Sequence, residues 1–368
     1  MSDFIQKKHY RLTTLTPVHI SDGSEGDIIP TEYVVSESGR LHKVNLAKLI
    51  GNLPEKSLPE LMEYMNKEDL IKIRDFIQSI WKKYRDIFSD CIEYSMQAGD
   101  LREYYENMQN EYIESKLYVT PFIRTGRQIY LPASSVKGAL RTAYISKLFE
   151  DGISINMKKP NIDKKSKRLE EDILRYSYLY KGRRKINVTK DPFKVLKISD
   201  SSVLSVDGIV KKIEIISRNK NGDFDAEKMK DTKLFAEVIE REIEIDIEAR
   251  IDSRYFNVPR GLGKKITFGI IENSCREFYK KLLLHERDSF FKDFDRKIKK
   301  SQIFALYDNF LQLNESPNSF LLRLGKHSGR NSLSLNLINK KGIEPKSRKL
   351  IVEDGEYLPM GWVKVTVS

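Results

Sequence analysis

The sequence predicts an α+β fold built on a largely antiparallel sheet, and three observations carry that prediction. Residues 243–252 alternate strictly. Ile243, Ile245, Ile247, Ala249 and Ile251 fall on one face, and Glu244, Asp246, Glu248, Arg250 and Asp252 on the other, which marks a strand with one buried and one solvated side. Strand-like runs stand at both ends of the chain with helical patterning between them, an order that suits antiparallel α+β better than a doubly wound parallel sheet. Finally, 368 residues at 40% hydrophobic content suffice for a substantial core.

Taken in order, residues 9–20 (HYRLTTLTPVHI) read as a strand as far as Pro17, followed by a loop, SDGSEGD, and a second strand in EYVVSESG. HKVNLAKLIGNL reads as a short helix ending near Gly51. Residues 54–115 read as an inserted all-helical block, because Leu70, Ile73, Ile77, Ile80, Trp81 and Tyr84 recur at helical spacing and glycine is scarce. Strand and turn chemistry returns in SKLYVTPFIRTGRQIYLPASS, and a helix is expected from Val136 to Phe149. Residues 156–190 are basic and poorly periodic and read as a mobile loop around one short helix. From residue 193 to 368 strands dominate, in KVLKISDSSV, VKKIEIISRN and REIEIDIEARID, with helical patterning at 271–313. SFLLRLGKHSGRNSLSLNLI reads as strand, glycine-rich turn and strand, and GWVKVTVS as a last strand.

Lysine and arginine outnumber aspartate and glutamate by 65 to 53, a formal charge of +12. Such a balance points to a polyanionic partner, nucleic acid before a membrane surface. Two cysteines, Cys91 and Cys275, without Cys-x-x-Cys spacing exclude a disulfide scaffold and a cysteine-rich zinc site. His9, His19, His42, His285 and His327 show no His-x-x-x-His spacing, so neither a metal nor another cofactor is expected. No apolar run approaches the length of a membrane span and no secretory leader is visible, so a soluble cytoplasmic protein is expected.

The residues that could carry function lie in basic, glycine-containing segments. In LPASSVKGALRTA (131–143), Ser134 or Ser135 suits an N-cap, and Val136, Leu140, Ala143 and Tyr144 share an apolar face. Lys137 and Arg141 sit near the positive end of the helix, where cations are disfavoured unless an anion is bound there. Gly138 would let such an anion approach the backbone. The spacing leaves two readings open, a capped helix start and an anion site. Arg124 and Arg127 flank Gly126 in a turn, Arg183 and Arg184 lie in YKGRRKINVTK, and Arg260, Lys264 and Lys265 in VPRGLGKKITFG. Arg323, Lys326, His327 and Arg330 surround Gly325 and Gly329 near the C-terminus. Catalytic signals are weak: His19 beside Ser21 and Asp22 could be drawn as an acid–base group, and Asp246 and Glu248 fit a solvated strand face better than a metal pair.

Three segments together resemble a known family. LTTLTPVHISDGSEG is similar to the L-T-P-V-H-I-G-S-G opening of the RAMP subunits of CRISPR effector complexes. YLPASSVKGALRTAY resembles their I-P-G-S-S-I-K-G-A-L-R signature, and LLRLGKHSGRNSL their C-terminal glycine-rich loop, here 325–329. Order and length are most similar to the RAMP subunit at the 3′ end of the RNA in type III-A (Csm) complexes. The resemblance implies an RRM-like (ferredoxin-like) core with insertions, and a non-catalytic subunit that binds CRISPR RNA, caps its 3′ end and supports its 3′ maturation in antiviral defence. The implied partners are CRISPR RNA, neighbouring RAMP subunits and cellular ribonucleases, with no membrane. Matching positions imply RNA contacts by Ser134, Ser135, Lys137, Gly138 and Arg141, by His19 and Ser21, and by Gly325, Lys326, His327, Ser328 and Gly329. The sequence departs from the pattern at Ala133, where glycine is usual, and at Asp22, where serine or glycine is expected. Two alternatives stand beside this reading. One is a metal-independent endoribonuclease with His19 as base and Lys137 or Arg141 stabilising the developing charge; the other is the 5′-end RAMP subunit of the same complex.

Overall fold

Ile5–Thr14 is the strand around which a five-stranded antiparallel sheet assembles, in the computed structural model, which describes residues 4–21, 23, 26–107, 117–150, 168, 170–219, 221–224, 234–256, 266–298, 301–333, 337 and 344–367. It pairs on one side with Glu244–Asp252, whose far edge takes Leu196–Ile198. On the other side it pairs with Trp362–Val367, which pairs in turn with Ser319–Arg323. The register sets Leu12 opposite both Ile245 and Val365, so three strands turn their apolar positions to one face. Ile245, Ile247, Ala249 and Ile251 are all buried while Glu244, Asp246 and Arg250 are exposed, as the alternation predicts.

Two helices cover the buried face, Ala133–Glu150 (the signature helix) and Phe268–Glu286 (the long helix), packed against each other. Val136, Leu140, Ala143 and Tyr144 enter the same core as Phe278, Tyr279, Leu282 and Leu283 of the long helix. Each large side chain buried there contributes roughly 1.5–3 kcal/mol. The signature helix begins at Ala133, three residues earlier than expected, so Ser134 and Ser135 lie in its first turn rather than capping it. The cap comes from elsewhere: the Asp200 carboxylate accepts from Ala133 N at 2.7 Å, beside a reciprocal pairing of Leu131 with Ser201.

A second sheet runs in the order Glu356–Pro359, Ser347–Glu353, Ile209–Ser217, Ile92–Gln97, Arg40–Val44, Tyr33–Val35, with Leu234–Val238 and Val119–Thr120 joined at its side. Three sequence expectations differ from it. Residues 54–115 are not all helical: after helices Leu58–Asn66, Leu70–Lys83 and Arg85–Phe88 the chain makes the strand Ile92–Gln97, and residues 108–116 lie outside the described residues. The alternation that buries Tyr94, Met96 and Ala98 is too short to stand out between two helical segments. His42 and Val44 belong to a strand, and the helix begins only at Leu46, after Asn45 accepts from Lys48 N. Arg330–Leu333 is helical rather than extended, because the Ser332 hydroxyl donates back to the Ser328 and Gly329 carbonyls. Of the 156–190 region, residues 156–167 lie outside the described residues, and Ser177–Tyr180 with Arg183–Ile186 form a hairpin.

One buried charge joins the two sheets. Glu286, at the end of the long helix and 1% exposed, accepts from Arg323 at 2.6 Å, from Arg348 at 3.0 Å and from the Tyr307 hydroxyl at 2.9 Å. Arg323 closes the first sheet's edge strand and Arg348 opens a strand of the second. Burial alone would push the Glu286 carboxyl up, but the two guanidiniums outweigh it and hold it below its ordinary value. Glu286→Leu, which leaves two buried arginines facing each other, should cost about 3–5 kcal/mol in urea unfolding. A loss under about 1 kcal/mol would mean that the cluster does not hold the sheets together.

Candidate nucleic-acid interface

Three segments far apart in sequence meet at one open cleft of about 500 Å³. Ile20, Ser21 and Gly23 come from the N-terminal loop; Ser134, Ser135, Gly138, Ala139 and Thr142 from the signature helix; Arg323, Leu324, Gly325, Lys326 and Ser332 from the C-terminal loop. These are the three segments that carry the family resemblance; none of Arg124, Arg127, Arg183 and Arg184 lines the cleft.

A close crossing of two chains builds the cleft's wall. Lys326 N donates to the His19 carbonyl at 2.9 Å. Gly325 has φ +84°, and a Cβ there would lie 2.1 Å from that same carbonyl, so only glycine serves. Leu324 N donates to the Gly361 carbonyl and Gly361 N to that of Pro17, which ties the loop to the last strand as well. The Ser328 hydroxyl, fully buried, closes the turn on the Gly325 carbonyl at 2.7 Å. Gly329, at φ +91°, completes it, Lys326 stands exposed at the rim and Arg330 is exposed beyond it.

His19 and His327 brace this crossing from behind. His19 is 0% exposed, and its Nδ1–H donates to the Glu237 carbonyl at 2.6 Å. Its ring lies 5.6 Å from that of His327 at 19°, and His327 Nδ1 accepts from Lys349 at 2.9 Å. Burial pushes His19 down to about 4; burial, then Lys349 and His19, push His327 down to about 2. Both rings are therefore neutral at physiological pH and act as packing and hydrogen-bonding groups. The sequence placed them among RNA contacts; their side chains belong to the support behind the cleft.

The cations of the signature helix also point elsewhere. Lys137 donates to the Leu196 carbonyl at 2.6 Å, and burial lowers its pKa from the usual lysine value. Arg141 binds Glu170 and, at 2.9–3.0 Å, both oxygens of Asp191, with its guanidinium over Phe193. Arg124 is spent on the buried carboxylate of Glu237 and stacks 3.7 Å from the Tyr94 ring centroid; Arg127 is exposed and donates to the Ile92 carbonyl. Arg184 pairs with Glu171 and Asp172, and Arg183 is exposed on the hairpin. Arg260, Lys264 and Lys265 lie outside the described residues.

What the helix presents to the cleft is small and polar. Ser134, Gly138 and Thr142 are spaced by four, and Ser135 and Ala139 flank them, so all five share one face. Neither serine side chain has a hydrogen-bond partner among the described residues, and a Cβ on Gly138 would meet nothing within 4 Å. Thr142, Ala139 and Ser332 were missed from the sequence because charge, rather than period, grouped the candidates. The four-residue spacing of Ser134, Gly138 and Thr142 is the signal that marks Thr142. Such a surface offers hydroxyls, a bare backbone and Lys326 at the rim, which is suited to a sugar–phosphate chain rather than to a buried small molecule. Among the described residues no group of histidine, cysteine, aspartate and glutamate is placed to hold a metal ion, and no helix is long and apolar enough to cross a membrane.

Comparisons with known proteins bear on the family and the fold. The family model of the RAMP superfamily matches residues 11–330, and the chain belongs to that superfamily. A curated relative, the "CRISPR system Cms protein Csm5" of Methanocaldococcus jannaschii, is 28% identical over 289 residues, covering 74% of this chain and 61% of the relative. The chain thus matches less than two thirds of that relative's length. A chain in the cryo-EM structure of a Csm–crRNA–target RNA ternary complex of a type III-A CRISPR-Cas system is similar in fold, with TM-score 0.65 and 19% identity over 98% of this chain and 100% of that one. The crystal structure of T. onnurineus Csm5 gives TM-score 0.59 and 20% identity, with 96% and 99% covered.

Two outcomes test the wall of the cleft. Gly325→Ala should lower the melting temperature by several degrees, whereas Gly138→Ala should leave it unchanged or raise it, since alanine is the better helix former by about 1 kcal/mol; equal effects would refute the close crossing. The histidines also predict a pH dependence. Their folded pKa values lie below the unfolded value, so the stability they contribute is present above about pH 6.5 and is lost as pH falls toward 4 for His19 and further for His327. The unfolding free energy from urea titration should fall from pH 7.5 to pH 5, by up to about 1.4 kcal/mol per pH unit per ring. His19→Gln should flatten that slope; an unchanged slope would count against the assignment.

Proposed function

We propose that this RAMP superfamily chain is a non-catalytic CRISPR RNA-binding subunit of a type III-A Csm complex, seated at the 3′ end of the RNA and supporting its 3′ maturation. The observation that carries the reading is the convergence of the three family-like segments on one cleft whose exposed groups suit an RNA backbone. In this reading the five-stranded sheet with its two helices is the RRM-like core, and the helical segments between Leu58 and Phe88 are an insertion upon it. Ser134, Ser135, Gly138 and Thr142 approach the RNA backbone, Lys326 meets a phosphate at the rim, and the remaining surfaces meet neighbouring RAMP subunits in the cytoplasm. Trimming of the 3′ end then falls to a cellular ribonuclease that the assembled complex admits. The endoribonuclease reading is weaker, because its base would be His19, which is enclosed behind Gly325 with its ring against His327. Contacts to a backbone rather than to base edges predict little sequence preference.

Gly138→Glu tests the cleft sharply. The site is open, so the fold should persist, while a carboxylate is set where the phosphate chain runs. RNA affinity should fall at least tenfold, with an unchanged circular dichroism spectrum, and wild-type binding should weaken steeply with salt. CRISPR RNA of normal occupancy and length in a complex carrying Gly138→Glu would overturn the proposal.

A further inference from the structure

The hairpin Ser177–Tyr180/Arg183–Ile186 exposes large apolar and aromatic groups that no core explains. Leu179 is 77% exposed, Tyr180 54%, Ile186 50% and Tyr178 47%, with Val188 beyond them at 66%. Its turn is Lys181-Gly182, both at positive φ (49° and 71°), the type I′ geometry that matches strand twist.

The register sorts its side chains. Tyr178 stands opposite Lys185 and Tyr180 opposite Arg183, so these four share one face. Leu179, opposite Arg184, and Ser177, opposite Ile186, share the other. On the second face Arg184 and Ser177 are tied to the body, Arg184 to Asp172 at 2.8 Å and Glu171 at 2.9 Å and Ser177 donating to Asp172 at 2.7 Å, while Leu179 and Ile186 stay exposed. Arg141 holds Glu170 before the hairpin and Asp191 after it, clamping both flanks to the signature helix. An isolated hairpin is marginal in water, and these anchors fix it. The first face is left outward, with two tyrosines two residues apart and an exposed cation opposite each. No acidic residue occurs between Ser177 and Lys190.

We propose that the face Tyr178/Tyr180/Arg183/Lys185 is a second RNA subsite, on which unpaired bases stack against the tyrosines while the cations meet the adjoining phosphates. It rests on the reading of the chain as an RNA-binding subunit. The chemistry distinguishes the occupant: flat aromatic faces interleaved with cations and free of acids suit single-stranded RNA, since every base offers a π-face, and unpaired bases alone can reach the rings. A protein partner would be expected to cover the more apolar Leu179/Ile186 face.

The test uses the full-length protein and a fluorescein-labelled single-stranded RNA of mixed sequence, with its duplex form as control. Tyr178→Ala/Tyr180→Ala should weaken single-strand binding about tenfold or more and leave the weaker duplex binding unchanged. Tyr178→Phe/Tyr180→Phe should restore wild-type affinity, since stacking needs the ring and not the hydroxyl. If the phenylalanine pair binds as weakly as the alanine pair, stacking is excluded and the inference fails. If Gly138→Glu abolishes binding while the alanine pair binds normally, the hairpin inference falls and the cleft stands. If both bind normally, both readings fall. Normal RNA binding by the alanine pair, with loss of neighbouring subunits on copurification, would make the hairpin a protein contact and overturn the proposal.

Discussion

The buried carboxylate of Glu286 is the constraint on which the arrangement depends. It lies at the end of the long helix, where one guanidinium arrives from each sheet and a tyrosine hydroxyl completes its shell. None of these groups can leave without stranding a charge in a dry interior, so the sheets and helix are fixed together more strictly than apolar packing would require. Arg323 also donates to the Met360 carbonyl and lies over the Trp362 ring. The residue that roots the C-terminal loop is thereby locked before the loop begins. The crossing of Gly325 over His19 inherits its position from that lock.

The signature helix works as a beam with three uses. Its apolar stripe enters the core, its small polar stripe faces the cleft, and its cations run along a third side, where Lys137 holds strand Leu196–Ile198 and Arg141 holds the flanks of the hairpin. Charge in this motif therefore does structural work, and the surface turned to the cleft is nearly neutral.

Much of this was legible in sequence, where the signal was periodic or steric. The alternation at 243–252 and the Val136/Leu140/Ala143/Tyr144 stripe appear in the core as read. The three glycine-containing segments do meet, and the steric need for glycine is at Gly325, where the C-terminal loop crosses His19. What was not legible depends on partners distant in sequence. Nothing local to Arg124 shows that Glu237 neutralises it, and nothing local to Arg141 shows Glu170 and Asp191 converging on it. The capping of Ala133 by Asp200 is of the same kind. Net charge indicated a polyanion, while the individual cations nearest the motif were committed within the protein, Lys137 to the Leu196 carbonyl and Arg141 to two acids.

That cap has a consequence for discrimination. A helix start facing a cleft would ordinarily attract any small anion, but here the protein's own carboxylate already answers the first free amide. For a solitary phosphate the capped helix start therefore offers less than an uncapped one would, and Lys326 is the exposed cation among the residues lining the cleft. A polymer gains from each weak contact in turn, because once one segment is seated the next is present at high effective concentration. In the proposed RNA-binding role, a cap of this kind would turn the helix start away from single anions and leave selectivity to connected ones.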